Sequence, residues 1–123
     1  MQLLFPTMIV LLSLDFSFLY MMRSVFNQQI IAVQGSPIVF NVYGTILSYV
    51  AIVFGLYYFI IREKKSILDA FLLGFVIYAV YETTNLALLK NWTYTTAIID
   101  TVWGGTLFAF TTYIVYLIAR LRI

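Results

Sequence analysis

Residues 66–92, SILDAFLLGFVIYAVYETTNLALLKNW, decide the fold. Between Ile67 and Leu89 the only charged side chains are Asp69 and Glu82, and aliphatic or aromatic residues fill most other positions. A helix of about 20 such residues crosses the hydrocarbon core of a bilayer. Ser66 stands ahead of Asp69 at capping-box spacing, with aspartate in the acidic place, so a helix start is expected there. Lys90-Asn91-Trp92 closes the run with residues suited to a membrane–water interface. Glu82 is the anomaly. Insertion scales charge about 2.5–3.5 kcal/mol for an acid near mid-membrane, so such a residue faces a protein interior, a partner or a water-filled cavity.

Similar runs lie on both sides. With this one they cover about 3–22, 38–61, 66–89 and 96–119. The 123 residues are 63% hydrophobic and 10% charged, and mean hydropathy is +1.00, whereas soluble domains are about 25% charged. The expected fold is all-α: a polytopic integral membrane protein, a four-transmembrane-helix bundle forming a single membrane domain over 1–123. Ser36-Pro37 reads as the start of the second span, with Ser as N-cap and Pro at the first helical position. Arg62-Glu63-Lys64-Lys65 reads as a solvated turn. Links this short make sequential helices antiparallel. Segment 23–35, RSVFNQQIIAVQG, is too short and polar to span; it reads as an interfacial helix or a polar loop. The first run lacks a basic leader and a small-residue cleavage pattern and carries Asp15, so it reads as a retained helix.

Basic residues set the expected orientation. Arg62, Lys64, Lys65, Arg120 and Arg122 fall on one side, against Arg23 and Lys90 on the other, which favours N-in/C-in topology with both termini cytoplasmic.

Two further acids sit within spans, Asp15 and Asp100. At 1.5 Å rise per residue, Asp15 and Glu82 lie roughly 10 Å, and Asp100 roughly 6 Å, inside the boundary away from the cytoplasm. Three helices thus bring carboxylates to one level. Asn85 is one turn above Glu82 on the same face. Tyr78 and Tyr81 flank that stripe, Trp103 and Gly104 follow Asp100, and Arg23 is placed to balance charge at the mouth. Ala70/Gly74 and Gly105/Ala109 have the small-xxx-small spacing of close helix contacts in lipid.

The chain resembles the family of small membrane proteins known as domain of unknown function 2177. The likeness rests on Ser13-Leu14-Asp15; Arg23 with Phe26 and Gln29; Tyr81-Glu82-Thr83-Thr84-Asn85-Leu86-Ala87 before Lys90-Asn91-Trp92; and Asp100-Thr101-Val102-Trp103-Gly104. Glu82 replaces the family's usual aspartate, Thr83 a leucine and Asn91 a glycine. The resemblance implies a four-helix integral membrane protein and brings no established activity.

The chain has no Cys and no His, which excludes disulfides, thiolate metal sites, His-ligated diiron or zinc centres and rhomboid-type pairs. The glycine-x-glycine-aspartate motif of aspartyl intramembrane proteases is missing, and Lys90 lies too near a helix end for a retinal attachment site. No cofactor is expected, and the net charge of +2 does not point to nucleic acid. Asn91-Trp92-Thr93 has the glycosylation spacing but falls at the interface, where access is poor; Trp92 and Tyr94 read as interfacial anchors. Asp15, Arg23, Tyr78, Tyr81, Glu82, Asn85, Asp100 and Trp103 remain as the candidate polar site. Its expected role is to bind or pass a cation, proton or small polar solute; oxygen donors suit Mg²⁺ or Ca²⁺ among the cations. Two readings stand beside it: a structural or assembly subunit of a cellular or viral membrane, and an accessory or catalytic component of lipid modification. The expected partners are the lipid bilayer and a homo-oligomer or larger membrane complex.

Overall fold

The computed structural model describes residues 2–121, which form five α-helices with no strand among the described residues. They are α1 (Leu4–Met21), α2 (Arg23–Gln34), α3 (Val42–Leu56), α4 (Ile67–Leu88) and α5 (Tyr94–Leu121). A π-helical turn, Tyr57–Ile61, prolongs α3, so that four helical stretches are long and apolar enough to cross a membrane. Pro6 falls in the first turn of α1, where its missing N–H removes no helical bond. Ser66 caps α4 by accepting the Asp69 N–H at 3.0 Å.

The segment after the first span is a helix. It turns off α1 at Met22 and ends at Gly35, whose φ of +77° is the left-handed closure that glycine adopts freely. The second span starts later than Ser36-Pro37 led us to expect. Residues 37–41 are not helical, and Asn41 is the N-cap, accepting the Gly44 N–H at 2.9 Å. An Asn side chain at that position satisfies a free helical donor directly, and β-branched Ile38 and Val39 are weaker helix formers before it.

The tightest packing joins α4 and α5. Ala70, Gly74, Tyr78 and Glu82 form one ladder on α4, and Asp100, Gly104, Phe108 and Thr112 form its counterpart on α5. A Cβ at Gly74 would strike the Gly104 carbonyl oxygen and come within 2.7 Å of the Phe108 ring, and one at Gly104 would strike the Tyr78 ring. Glycine therefore lets these backbones meet, as bilayer packing favours. The register pairs Gly74 with Phe108, Tyr78 with Gly104 and Glu82 with Asp100. Each pair is equidistant in sequence from Asn91, which turns the chain with φ +70°. Asn tolerates this conformation better than other non-glycine residues, which suits the place where the resemblance expects glycine.

The apolar core lies toward the α3–α4 link, around Leu11, Leu56, Ile61, Phe108 and Val115. There the π turn is closed by the Arg62 N–H on the Tyr57 carbonyl at 2.8 Å and the Lys65 N–H on the Ile60 carbonyl at 2.9 Å. The Tyr116 hydroxyl from α5 donates to the Lys65 carbonyl at 2.7 Å and ties the link down. Arg122 lies outside the described residues.

Candidate functional site

The opposite half of the bundle holds the acids. Asp15 completes the buried stripe Thr7-Leu11-Asp15 of α1, and Glu82 and Asp100 end the facing ladders of α4 and α5. Their exposures are 6%, 1% and 9%, so helix periodicity carries all three inward.

Each acid has different company. Asp15 accepts from two aromatic donors, the Tyr49 hydroxyl on Oδ2 at 2.6 Å and the Trp103 indole N–H on Oδ1 at 2.9 Å. Glu82 accepts the Trp92 indole N–H on Oε1 at 2.7 Å. Asp100 has no indole or phenol donor of its own; its hydrogen-bonding neighbour is the Glu82 carboxyl. Two carboxyls in such contact share a proton or draw in a cation, because two adjacent bare charges repel. Trp103 is held in place by Phe18, whose ring stacks on it at 4.3 Å and 5°.

All three acids line one cavity of about 540 Å³, together with Tyr49, Tyr78, Tyr81 and Trp92. Ile30, Ile38, Ile52 and Ile77 line its apolar part, and among the described residues no Lys or Arg lines it. Among the described residues no set of three or more acidic, His or Cys side chains is placed to hold one metal ion.

The remaining expected residues divide. Tyr78 is half-buried between the acids and Gly104, while Tyr81 lines the cavity with 58% of its surface exposed. Asn85 is outside the lining, and its Nδ2 is buried without a partner. Arg23 does not reach the mouth. Its guanidinium lies 4.2 Å from the centroid of the Tyr20 ring and donates to the Tyr20 carbonyl at 2.7 Å, where a planar cation finds both stacking and a hydrogen bond.

Sequence reasoning missed Tyr49, Trp92 and Gln29. Tyr49 stands alone in an apolar run. Trp92 lies at an interface, and its indole turns inward to Glu82. Buried Gln29 clamps α2 to the α4–α5 link: its Nε2 donates to the Asn91 carbonyl, and its Oε1 accepts the Thr93 N–H, each at 2.9 Å. Asn91 Nδ2 returns a bond to the Ala32 carbonyl at 3.1 Å. Gln29 is one of three glutamines in a half-polar short helix, so composition did not single it out; its place in the family-like motif with Arg23 and Phe26 was the available signal.

The family model described as "Predicted membrane protein (DUF2177)" matches residues 1–117. No curated protein and no solved structure matches the chain.

Proposed function

The chain belongs to the DUF2177 family of predicted membrane proteins, and we propose that within the membrane it is a non-enzymatic protein whose three-acid cluster binds or passes a cation, proton or small polar solute. One observation carries the reading. Three carboxyls, each at least nine-tenths buried, line a single cavity to which no basic side chain among the described residues contributes. Negative groups held this way need protons or a cation to balance them, and structural glue is an expensive use for them, since hydrogen bonds between membrane helices average about 0.6 kcal/mol.

The cluster is proposed to lie in the outer half of the bilayer. Arg62, Lys64 and Lys65 on the α3–α4 link and Arg120 near the end of α5 support a cytoplasmic position for that side and for both termini. The ligand geometry favours a proton or a monovalent solute over a divalent metal, because the acids do not surround one point.

The test uses protein in lipid nanodiscs and in vesicles. A bound solute at a hundredfold excess over Kd adds about 2.7 kcal/mol of stability, visible as a rise in Tm. Proton passage is read from a pH dye trapped in the vesicles. The Asp15→Asn/Glu82→Gln/Asp100→Asn variant should fold yet lose both responses. If wild type and variant differ in stability alone, the acids are structural and the proposal fails.

A further inference from the structure

We propose that the solute is a monovalent organic amine with an apolar body, which enters from the bilayer between α3 and α4 and seats its ammonium against Asp100 and Glu82. This rests on reading the acids as a solute site and narrows the solute to one chemical class.

Hydrogen-bond accounting locates the charge contact. Both Asp15 oxygens already accept a donor, and Glu82 has given Oε1 to Trp92. Asp100 is nine-tenths buried, lines the cavity and has only another carboxyl for hydrogen-bonding company. An ammonium brings the missing N–H donors to this pair together with the balancing charge. A divalent ion bound by the protein would draw on several oxygen ligands around one point, and among the described residues no three acids are placed that way.

The lining recognises the rest of the molecule. Tyr78 and Tyr81 line the cavity, and an ammonium within about 6 Å of a ring centroid, over its face, is attracted by the quadrupole. The apolar wall of Ile30, Ile38, Ile52 and Ile77 has nothing to offer a hydrated metal or a sugar. At about 540 Å³ the cavity has the size of a small-molecule site. The route follows from packing. α3 and α4 barely touch, and exposed Ser48 and Ala51 of α3 line the cavity, so it opens sideways between these helices.

The chain carries its own reporter. Its two tryptophans, Trp92 and Trp103, are the indoles bound to Glu82 and Asp15. In nanodiscs of phosphatidylglycerol, phenethylamine should change tryptophan fluorescence saturably. Methylammonium, which lacks the body, and phenethyl alcohol, which lacks the charge, should bind at least tenfold more weakly. Asp100→Asn should weaken phenethylamine at least tenfold. Ser48→Phe, which fills the opening and removes no acid, should weaken phenethylamine as well. If phenethylamine and methylammonium bind alike, the amine inference is overturned and the cation-site reading survives. If no cation binds and the triple acid variant matches wild type, both fall. Adding phosphatidylethanolamine separates two sources of the same ammonium chemistry. Competition with phenethylamine assigns the site to a lipid headgroup, and absence of competition assigns it to a free amine; either supports the inference.

Discussion

The seam between α4 and α5 and the gap between α3 and α4 share one helix and have opposite designs. On the seam, Gly74, Gly104 and Gly105 remove side chains until backbone meets ring and carbonyl. Across the gap, Tyr49, Tyr78 and Tyr81 stand around a hollow, and α3 barely contacts its neighbour. In lipid, apolar burial does not draw helices together, because the tails are as apolar as the side chains. Close fit and hydrogen bonds remain. The seam uses the first, while α3 is tied by the second to α1, through the Tyr49–Asp15 hydrogen bond, and not to α4, so the molecule keeps a tightly packed hairpin beside an open polar face.

The most damaging way to break this contrast is Gly74→Ala. The added methyl collides with the Gly104 carbonyl, which is backbone and cannot rotate away. The helices must separate along the ladder that also pairs Glu82 with Asp100. A loss of about 3 kcal/mol is expected, at the upper end for overpacking, read as a fall in Tm in detergent micelles. An unchanged Tm would show that the seam is looser than described.

Asp15→Ala tests the gap with a smaller loss. It strands the Tyr49 hydroxyl and the Trp103 N–H, and an unsatisfied buried donor costs about 1–3 kcal/mol. Part of this is returned because a buried acid disappears. The expected net loss is about 1–2 kcal/mol, with an altered Trp103 emission. Asp15→Asn keeps an acceptor and should lose less. A gain in stability from Asp15→Ala would mean that the acid opposes folding, which sharpens the case that it serves a solute.

The same contrast explains what could be read from the chain alone. Hydropathy and length mark the four spans because lipid leaves little freedom there, and Ser66 is legible because its cap is local. The meeting of Glu82 and Asp100 was also within reach, since an antiparallel hairpin turning at Asn91 brings equidistant residues together. Partner choice was not. Trp92 bears the same signature whether it anchors at an interface or donates to Glu82, and Arg23 serves Tyr20 because a nearby ring and carbonyl compete with a distant acid. Asn41 prevailed over Ser36-Pro37 because β-branched Ile38 and Val39 delay the helix and extended Asn41 caps it, a balance that neither cap reveals by itself.

The smallest effect is the sharpest comparison, because it repeats the Gly74 substitution on the loose helix. Gly55 lies in α3 just before the π turn, and a Cβ there meets nothing within 4 Å. No contact requires glycine, so its remaining effect is on the unfolded chain and the helical backbone, where alanine is better by about 0.5–1 kcal/mol. Gly55→Ala should therefore raise stability by that amount in the micelles where Gly74→Ala lowers it. Opposite signs from one substitution would assign the difference to packing, since propensity acts alike in both helices. A loss at Gly55 would instead reveal a close contact on the outer face of α3, made by something other than this chain's own helices.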